Sequence, residues 1–393
     1  MKPFRLSAYT LTSPLGRGLA AQREALLAGR SGLAQAAFED STLSCWTGAV
    51  SGLDTPLAGD WGEWDSRNHR LASLALDQDD FRGAVAAAVA RHGADRVAVF
   101  VGTSTSGTLS TEHAYRERDP ASGKLPDSYH YRTTHSAQAA AEFVRLQLGL
   151  ENLACAICTA CSSSAKVFAA ASRAIEAGLC DAAVVGGADS LCLTTLHGFN
   201  SLQLISADIC RPADVNRKGI SIGEAAGFAL LERGTAPGGL ALLGYGESSD
   251  AYHMSTPDPE GRGAAQAMRD ALARAQLAPE AIGYINLHGT ATPANDASED
   301  RAVMDVFGAA TPCSSTKGFT GHTLGAAGIV EAVFCLLAIE HGFLPPSLNT
   351  RDKDPSIRGN IVLAARPQQL KYALSNSFGF GGNNASLVLG RAP

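Results

Sequence analysis

The sequence predicts an α/β protein whose parallel strands are covered by helices on both faces. Three observations lead there. Short runs dominated by apolar residues, Asp95–Gly102 (DRVAVFVG) and Ala182–Gly187 (AAVVGG), lack period-2 alternation and so read as strands buried on both sides. Helix-patterned segments separate such runs. After Thr235–Gly239 (TAPGG), which reads as a link, the alternation starts afresh, suggesting an internal duplication with units 1–234 and 239–393.

Taken in order, Pro3–Leu11 reads as a first strand and Gly18–Gly29 as a helix. Thr47–Asp65 is irregular, and Arg67–Ala90 is largely helix-patterned. Thr103–Pro126 is polar and turn-rich. Ser136–Leu148 is helical, Leu153–Cys158 is a strand, and a helix follows Cys161 with Phe168, Ala171 and Ile175 on one face. Arg211–Arg233 runs from turns into an apolar strand. In the second unit, Leu240–Gly246 is a strand, Gly263–Ala275 a helix, and Ile282–Leu287 a strand ending at His288. Asn295–Phe307 is a helix, Pro312–Ser315 a short strand and Ala326–Glu340 a long apolar helix. Tyr372–Ser377 and Ala385–Gly390 close the chain as strands.

The 393 residues are 45% hydrophobic and 18% charged, enough for a substantial core. A net charge of −6 argues against a nucleic-acid partner. No run of about eighteen apolar residues predicts a membrane span. Nine cysteines, an odd number without framework spacing, and the lack of an export signal at the N-terminus lead us to expect a reducing cytoplasm.

The chemistry is expected at ends of elements. In Thr159-Ala160-Cys161-Ser162-Ser163-Ser164, Cys161 occupies the turn from a buried strand into a helix. A helix N-terminus favours a thiolate and leaves free amides to hold an anion. The serines suit capping of that helix. Cys155, Cys158 and Cys161 do not form an iron–sulfur run, because residues three apart on a strand face opposite sides. His288 lies in Asn286–Thr292 (NLHGTAT), where small neighbours leave room for a substrate at the carboxyl end of a strand. Ser315–Gly328 packs Lys317 and His322 into a glycine-rich loop before a helix carrying Glu331, against which Lys317 could be buried. Asn376–Asn384 (NSFGFGGNN) flanks Phe378 and Phe380 with glycines, so that backbone can approach a ligand closely.

Cys161 in TACSSS, His288 in HGTAT, Lys317 and His322 in STKGFTGHTLGAAG, and the FGFGG turn occur in one order. Together they resemble the β-ketoacyl-[acyl-carrier-protein] synthases, the condensing enzymes of fatty acid and polyketide assembly, and most closely the types I and II elongating class. RPADVNRKGISIGEAAG and SSDAYHMSTPDP also look like that family. Ala291 in HGTAT and Asn383 in GGNN depart from its usual pattern. The resemblance implies a thiolase-like fold, duplicated and five-layered (α-β-α-β-α), in a homodimer or a heterodimer with a related synthase-like subunit. It implies acyltransferase activity: decarboxylative Claisen condensation of malonyl-carrier protein with an acyl-enzyme thioester, in fatty acid or polyene/polyketide elongation. The alternative is a non-catalytic, chain-length-determining partner subunit, though such subunits usually lack the nucleophile. A thiolase would show GHP near the second histidine and another cysteine in the C-terminal glycine loop. A type III starter enzyme would carry asparagine in place of His322.

The same resemblance implies the roles. Cys161 is the nucleophile with a lowered pKa, and its backbone N–H with that of Phe380 forms the oxyanion hole. His288 and His322 donate to the enolate, and Lys317 with Glu331 orders the site. His322 is expected to serve decarboxylation rather than acylation. Thr290 and Thr292 would hold the phosphopantetheine arm of acyl carrier protein with help from Ser255, and Phe378 and Phe380 would gate the acyl chain. No metal and no resident cofactor are implied. Arg67 and Arg70 are candidate contacts for the carrier protein.

Overall fold

A computed structural model describes residues 1–35 and 38–392. Two six-stranded mixed sheets dominate it. The first runs Gly16–Arg17, Phe4–Ser13, Ala225–Arg233, Ala182–Asp189, Val97–Gly102, Ala154–Ile157. The second runs Asn360–Ile361, Pro312–Ser314, Tyr284–Asn286, Tyr372–Gly379, Asn383–Arg391, Leu240–Ser249. Starting from Phe4–Ser13, successive pairings are antiparallel, antiparallel, parallel, parallel. Starting from Leu240–Ser249, the same sequence of orientations recurs.

The two sheets sandwich a middle layer of two helices, Ser163–Glu176 and Ala327–His341. The core they share joins Ala183, Val185 and Leu231 of one sheet to Tyr284, Ala373 and Leu387 of the other. Helices Arg67–Leu76, Phe81–His92 and Ala137–Gln147 cover the outer face of the first sheet. Arg262–Ala275 and Pro293–Phe307 cover that of the second, completing five layers. Val97–Gly102 and Ala182–Asp189 are buried at every residue, as strands covered on both faces must be.

The apolar segment Leu324–His341 is long and apolar enough to cross a membrane by length and composition, but 89% of it is buried inside the protein. Its uniform apolarity follows from packing against both sheets rather than one. At the N-terminal ends of the paired helices, the backbone N–H of Ile329 donates to Ser164 Oγ at 3.0 Å. The two chain halves therefore meet where the motifs sit.

Two expectations change. The predicted helix Arg67–Ala90 is two helices, broken where Asp79 and Asp80 take left-handed conformations (φ 55° and 52°). Asp79 accepts hydrogen bonds there from Thr10 Oγ1 and the Leu19 N–H. A helix over Leu193–Ser201 went unread, because its polar residues give little periodic contrast.

Candidate active site

The strand Ala154–Ile157 delivers the chain to the turn holding Cys161. Ala160 is forced to φ 51°, and the helix begins at Ser163. The expected capping fails. No side chain caps this helix, because Ser162 Oγ donates back to the Thr159 carbonyl at 2.9 Å and Ser163 Oγ to that of Ala160 at 2.6 Å. The serines thus tighten the turn and leave the first amides of the helix unused by side chains. Gly379 closes over this turn. A Cβ on it would lie 2.6 Å from the Thr159 carbonyl oxygen and 3.2 Å from the Cys161 nitrogen, so only glycine permits the approach.

Cys161 is 6% exposed. Its Sγ lies 2.9 Å from His322 Nε2. The rings of His288 and His322 stand edge to face, 5.4 Å between centroids. Ligand atoms of Cys161, His288 and His322 all lie within 4.8 Å of one another. Such a trio could in principle grip a soft cation, but the Lys317 ammonium beside His288 opposes one. Lys317 and Glu331, each 2% exposed, form a buried ion pair. The Lys317 ammonium also donates to the His288 carbonyl and stands 3.4 Å from His288 Nδ1. Nδ1 facing an ammonium must accept, which leaves the ring proton on Nε2.

Burial lowers both histidines well below the usual imidazole range, and the charge of Lys317 adds to the effect. Both rings are therefore neutral at pH 7. The expected lowering at Cys161 is reversed: burial pushes its thiol up to about 12, outweighing the opposing influence of Lys317 and the backbone N–H of Phe380. The helix end is not enough to ionise a sulfur shut away from water, so the resting pair is a thiol beside a neutral imidazole.

Glu299 was missed by sequence reasoning. It is buried on helix Pro293–Phe307 and accepts from the backbone N–H groups of His288 and Gly289, each at 2.8 Å, and from Asn376 Nδ2 at 3.1 Å. Burial raises it to about 7. Read linearly, NDASED looks like a solvated helix face, and only the fold brings the donors to it.

Thr290, Thr292, Ser255, Phe378 and Phe380 line one cleft with Cys161. Counting its open mouth, the cleft holds about 980 Å³. Thr290 and Thr292 hydroxyls are 2.9 Å apart, and Thr292 Oγ1 also caps the following helix. Ser255 Oγ lies 3.4 Å from His253 Nδ1. Phe378 packs on His288 and Phe380 on Phe199. Arg67 is not free to meet a partner: its guanidinium grips the buried Glu224 at 2.8 and 2.6 Å. Arg70 is bound to Asp65 and to the Leu53 carbonyl. All nine cysteines are free thiols.

A buried thiol, two neutral imidazoles and an ammonium–carboxylate pair at the seam of a five-layered α-β-α-β-α protein define a condensing enzyme of the thiolase-like fold. Residues 81–236 match the β-ketoacyl synthase N-terminal domain, and residues 241–351 match the C-terminal domain. The mitochondrial 3-oxoacyl-[acyl-carrier-protein] synthase of Arabidopsis thaliana is 40% identical over 62% of this chain, an alignment spanning 58% of the plant protein. A Staphylococcus aureus 3-oxoacyl-[acyl-carrier-protein] synthase 2 is 33% identical over 75% of this chain and 77% of that protein. Among solved structures, a ketosynthase (ApeO) in complex with its chain length factor (ApeC) from Xenorhabdus doucetiae is 40% identical, with a TM-score of 0.90 and coverage of 100% of this chain and 98% of that one. The chain belongs to the β-ketoacyl synthase family and is a ketosynthase, an acyltransferase-type condensing enzyme of fatty acid or polyketide elongation.

Proposed function

We propose that the chain carries out decarboxylative Claisen condensation of malonyl-carrier protein with an acyl group held on Cys161, giving a 3-oxoacyl carrier thioester. The observation that carries this reading is the 2.9 Å contact between Cys161 Sγ and His322 Nε2, with His288 alongside. In the first half-reaction the sulfur attacks the carbonyl of an acyl-carrier thioester. Because that sulfur starts protonated and lies 2.9 Å from His322 Nε2, we revise the expectation that His322 serves decarboxylation alone: Nε2 accepts the proton as attack proceeds and returns it to the departing phosphopantetheine thiol. The oxyanion takes hydrogen bonds from the backbone N–H groups of Cys161 and Phe380, a type of donor worth about 2.7–4 kcal/mol when lost. In the second half-reaction malonyl-carrier loses carbon dioxide. His288, and His322 once its ring proton has moved from Nδ1 to Nε2, donate Nε2–H bonds to the developing enolate oxygen. Its carbon then attacks the acyl-Cys161 carbonyl, the carbon–sulfur bond breaks, and the released Cys161 sulfur takes up a proton. Neutral rings suit this work, since each still has a proton to donate.

Thr290 and Thr292, with Ser255, would hold the phosphopantetheine arm in the cleft, and Phe378 and Phe380 would yield to the acyl chain. The carrier protein brings both substrates, so no resident cofactor is needed, and the reaction belongs in the cytoplasm. The active form is a dimer. A heterodimer with a synthase-like partner is supported by the likeness to ApeO, and the intact cysteine and histidines favour the catalytic over the chain-length-determining subunit.

The test is intact-mass spectrometry of wild type and Cys161→Ala after incubation with acyl-carrier protein. Wild type gains one acyl group and the variant none; acylation of the variant at another cysteine would overturn the assignment.

A further inference from the structure

Asp189, at the end of strand Ala182–Asp189, is fully buried and faces five donors. Its Oδ1 accepts from the hydroxyls of Thr103 (2.6 Å) and Thr105 (2.9 Å) and from the backbone N–H groups of Ser104 (2.8 Å) and Thr105 (2.9 Å). Its Oδ2 accepts from the backbone N–H groups of Ser104 (3.0 Å) and Gly325 (2.5 Å). Three obligatory N–H donors and no acceptor suit a carboxylate and not an acid.

The donors come from two places that matter. Gly325 is three residues beyond His322, and a Cβ on it would strike Asp189 Oδ2 at 2.7 Å and the Ser104 nitrogen at 2.8 Å. Ser104, whose amide is held by the carboxylate, sends its exposed hydroxyl to the carbonyl of Ala160 at 3.2 Å. Ala160 is the left-handed residue immediately before Cys161. One carboxylate thus ties the turn carrying the sulfur to the loop carrying the imidazole.

We infer that Asp189 is a positioning residue for condensation, acting through Ser104 and Ala160 on Cys161 and through Gly325 on His322 to hold the sulfur–imidazole contact. This rests on the function proposed above. Reactions that depend on a near-attack contact lose about 10²-fold for a displacement of 1 Å. Loss of the single Ser104 tether shifts only one side of the contact and is expected to cost about tenfold on that scale.

The experiment is single-turnover acylation of full-length enzyme by octanoyl-pantetheine, with Ser104→Ala, Asp189→Asn and Cys161→Ala in parallel. Ser104→Ala deletes an exposed hydroxyl and leaves the carboxylate cradle intact. It should slow acylation about tenfold, with the melting temperature and the half-saturating donor concentration unchanged. Asp189→Asn, which meets the same donors with an amide, should be slower still. A Ser104→Ala enzyme at the wild-type rate would overturn the inference, whether or not Asp189→Asn folds. So would a folded Asp189→Asn at the wild-type rate. Acylation of Cys161→Ala would instead strike the nucleophile assignment, so the two failures are distinguishable.

Discussion

Replacing Lys317 with methionine removes the only cation paired with Glu331 among the described residues. The side-chain volume is nearly kept, so the change is chiefly one of charge. Glu331 is 2% exposed, its Oε2 already lacks a hydrogen-bond partner, and burial holds it at about 7 even with Lys317 present. Stranding one member of a buried pair costs about 3–5 kcal/mol. At pH 7 the carboxyl can escape part of that by taking a proton, so the lower end, about 3 kcal/mol, is expected. Raising the pH removes the escape. The folded variant then holds a proton that the unfolded chain, with an ordinary glutamate, has released. Its stability therefore falls as pH rises, whereas the wild-type carboxylate is largely ionised above 7 and adds little slope. Between pH 7 and pH 9 the gap should widen by up to about 2.7 kcal/mol, two pH units at about 1.36 kcal/mol each. Calorimetric melting of both proteins at the two pH values reads this. The double variant Lys317→Met/Glu331→Leu should recover most of the stability and lose the pH dependence, since burying two apolar groups strands no charge. It should not recover malonyl decarboxylation, because His288 Nδ1 no longer faces an ammonium. An equal penalty at pH 7 and pH 9, or a double variant as unstable as the single, would refute the reasoning.

Alkylation of Cys161 by iodoacetamide should rise through pH 9 without a plateau near neutrality, because burial holds the thiol at about 12; a plateau near pH 7 would mean a resting thiolate. His288→Ala should abolish decarboxylation while leaving acylation within about threefold, and His322→Ala should impair both by about 10²-fold or more if His322, 2.9 Å from the sulfur, takes the thiol proton as proposed. Separate acylation and carbon dioxide release assays decide this. Gly379→Ala drives a methyl to 2.6 Å from the Thr159 carbonyl oxygen. It should destabilise the protein by about 1–3 kcal/mol and slow acylation; melting and rates at wild-type values would show that the turn gives way freely.

The alternation of apolar runs and helices was readable because buried parallel strands need uniform apolarity, and Val97–Gly102 and Ala182–Asp189 have it. The order of Cys161, His288, Lys317 and His322 was readable because each sits at the end of an element flanked by small residues. What stayed hidden depends on partners remote in sequence. Glu299 looked solvated until the amides of His288 and Gly289 closed on it. Arg67 looked free until Glu224, 157 residues away, took its guanidinium. The charge state of Cys161 was read from its local turn, but it is set by everything that excludes water around it.

The reacting groups are divided across the seam between the two stacked sheets. The sulfur hangs from the turn between the first sheet and its helix Ser163–Glu176, and both imidazoles come from loops of the second. On the proposed function, neither assembly alone would make or break the carbon–sulfur bond. Turnover is therefore a gauge of how the two are docked: anything that opens the joint by a fraction of an ångström, whether a cavity in the middle layer or a badly seated partner, should register in the rate before it registers in the melting curve.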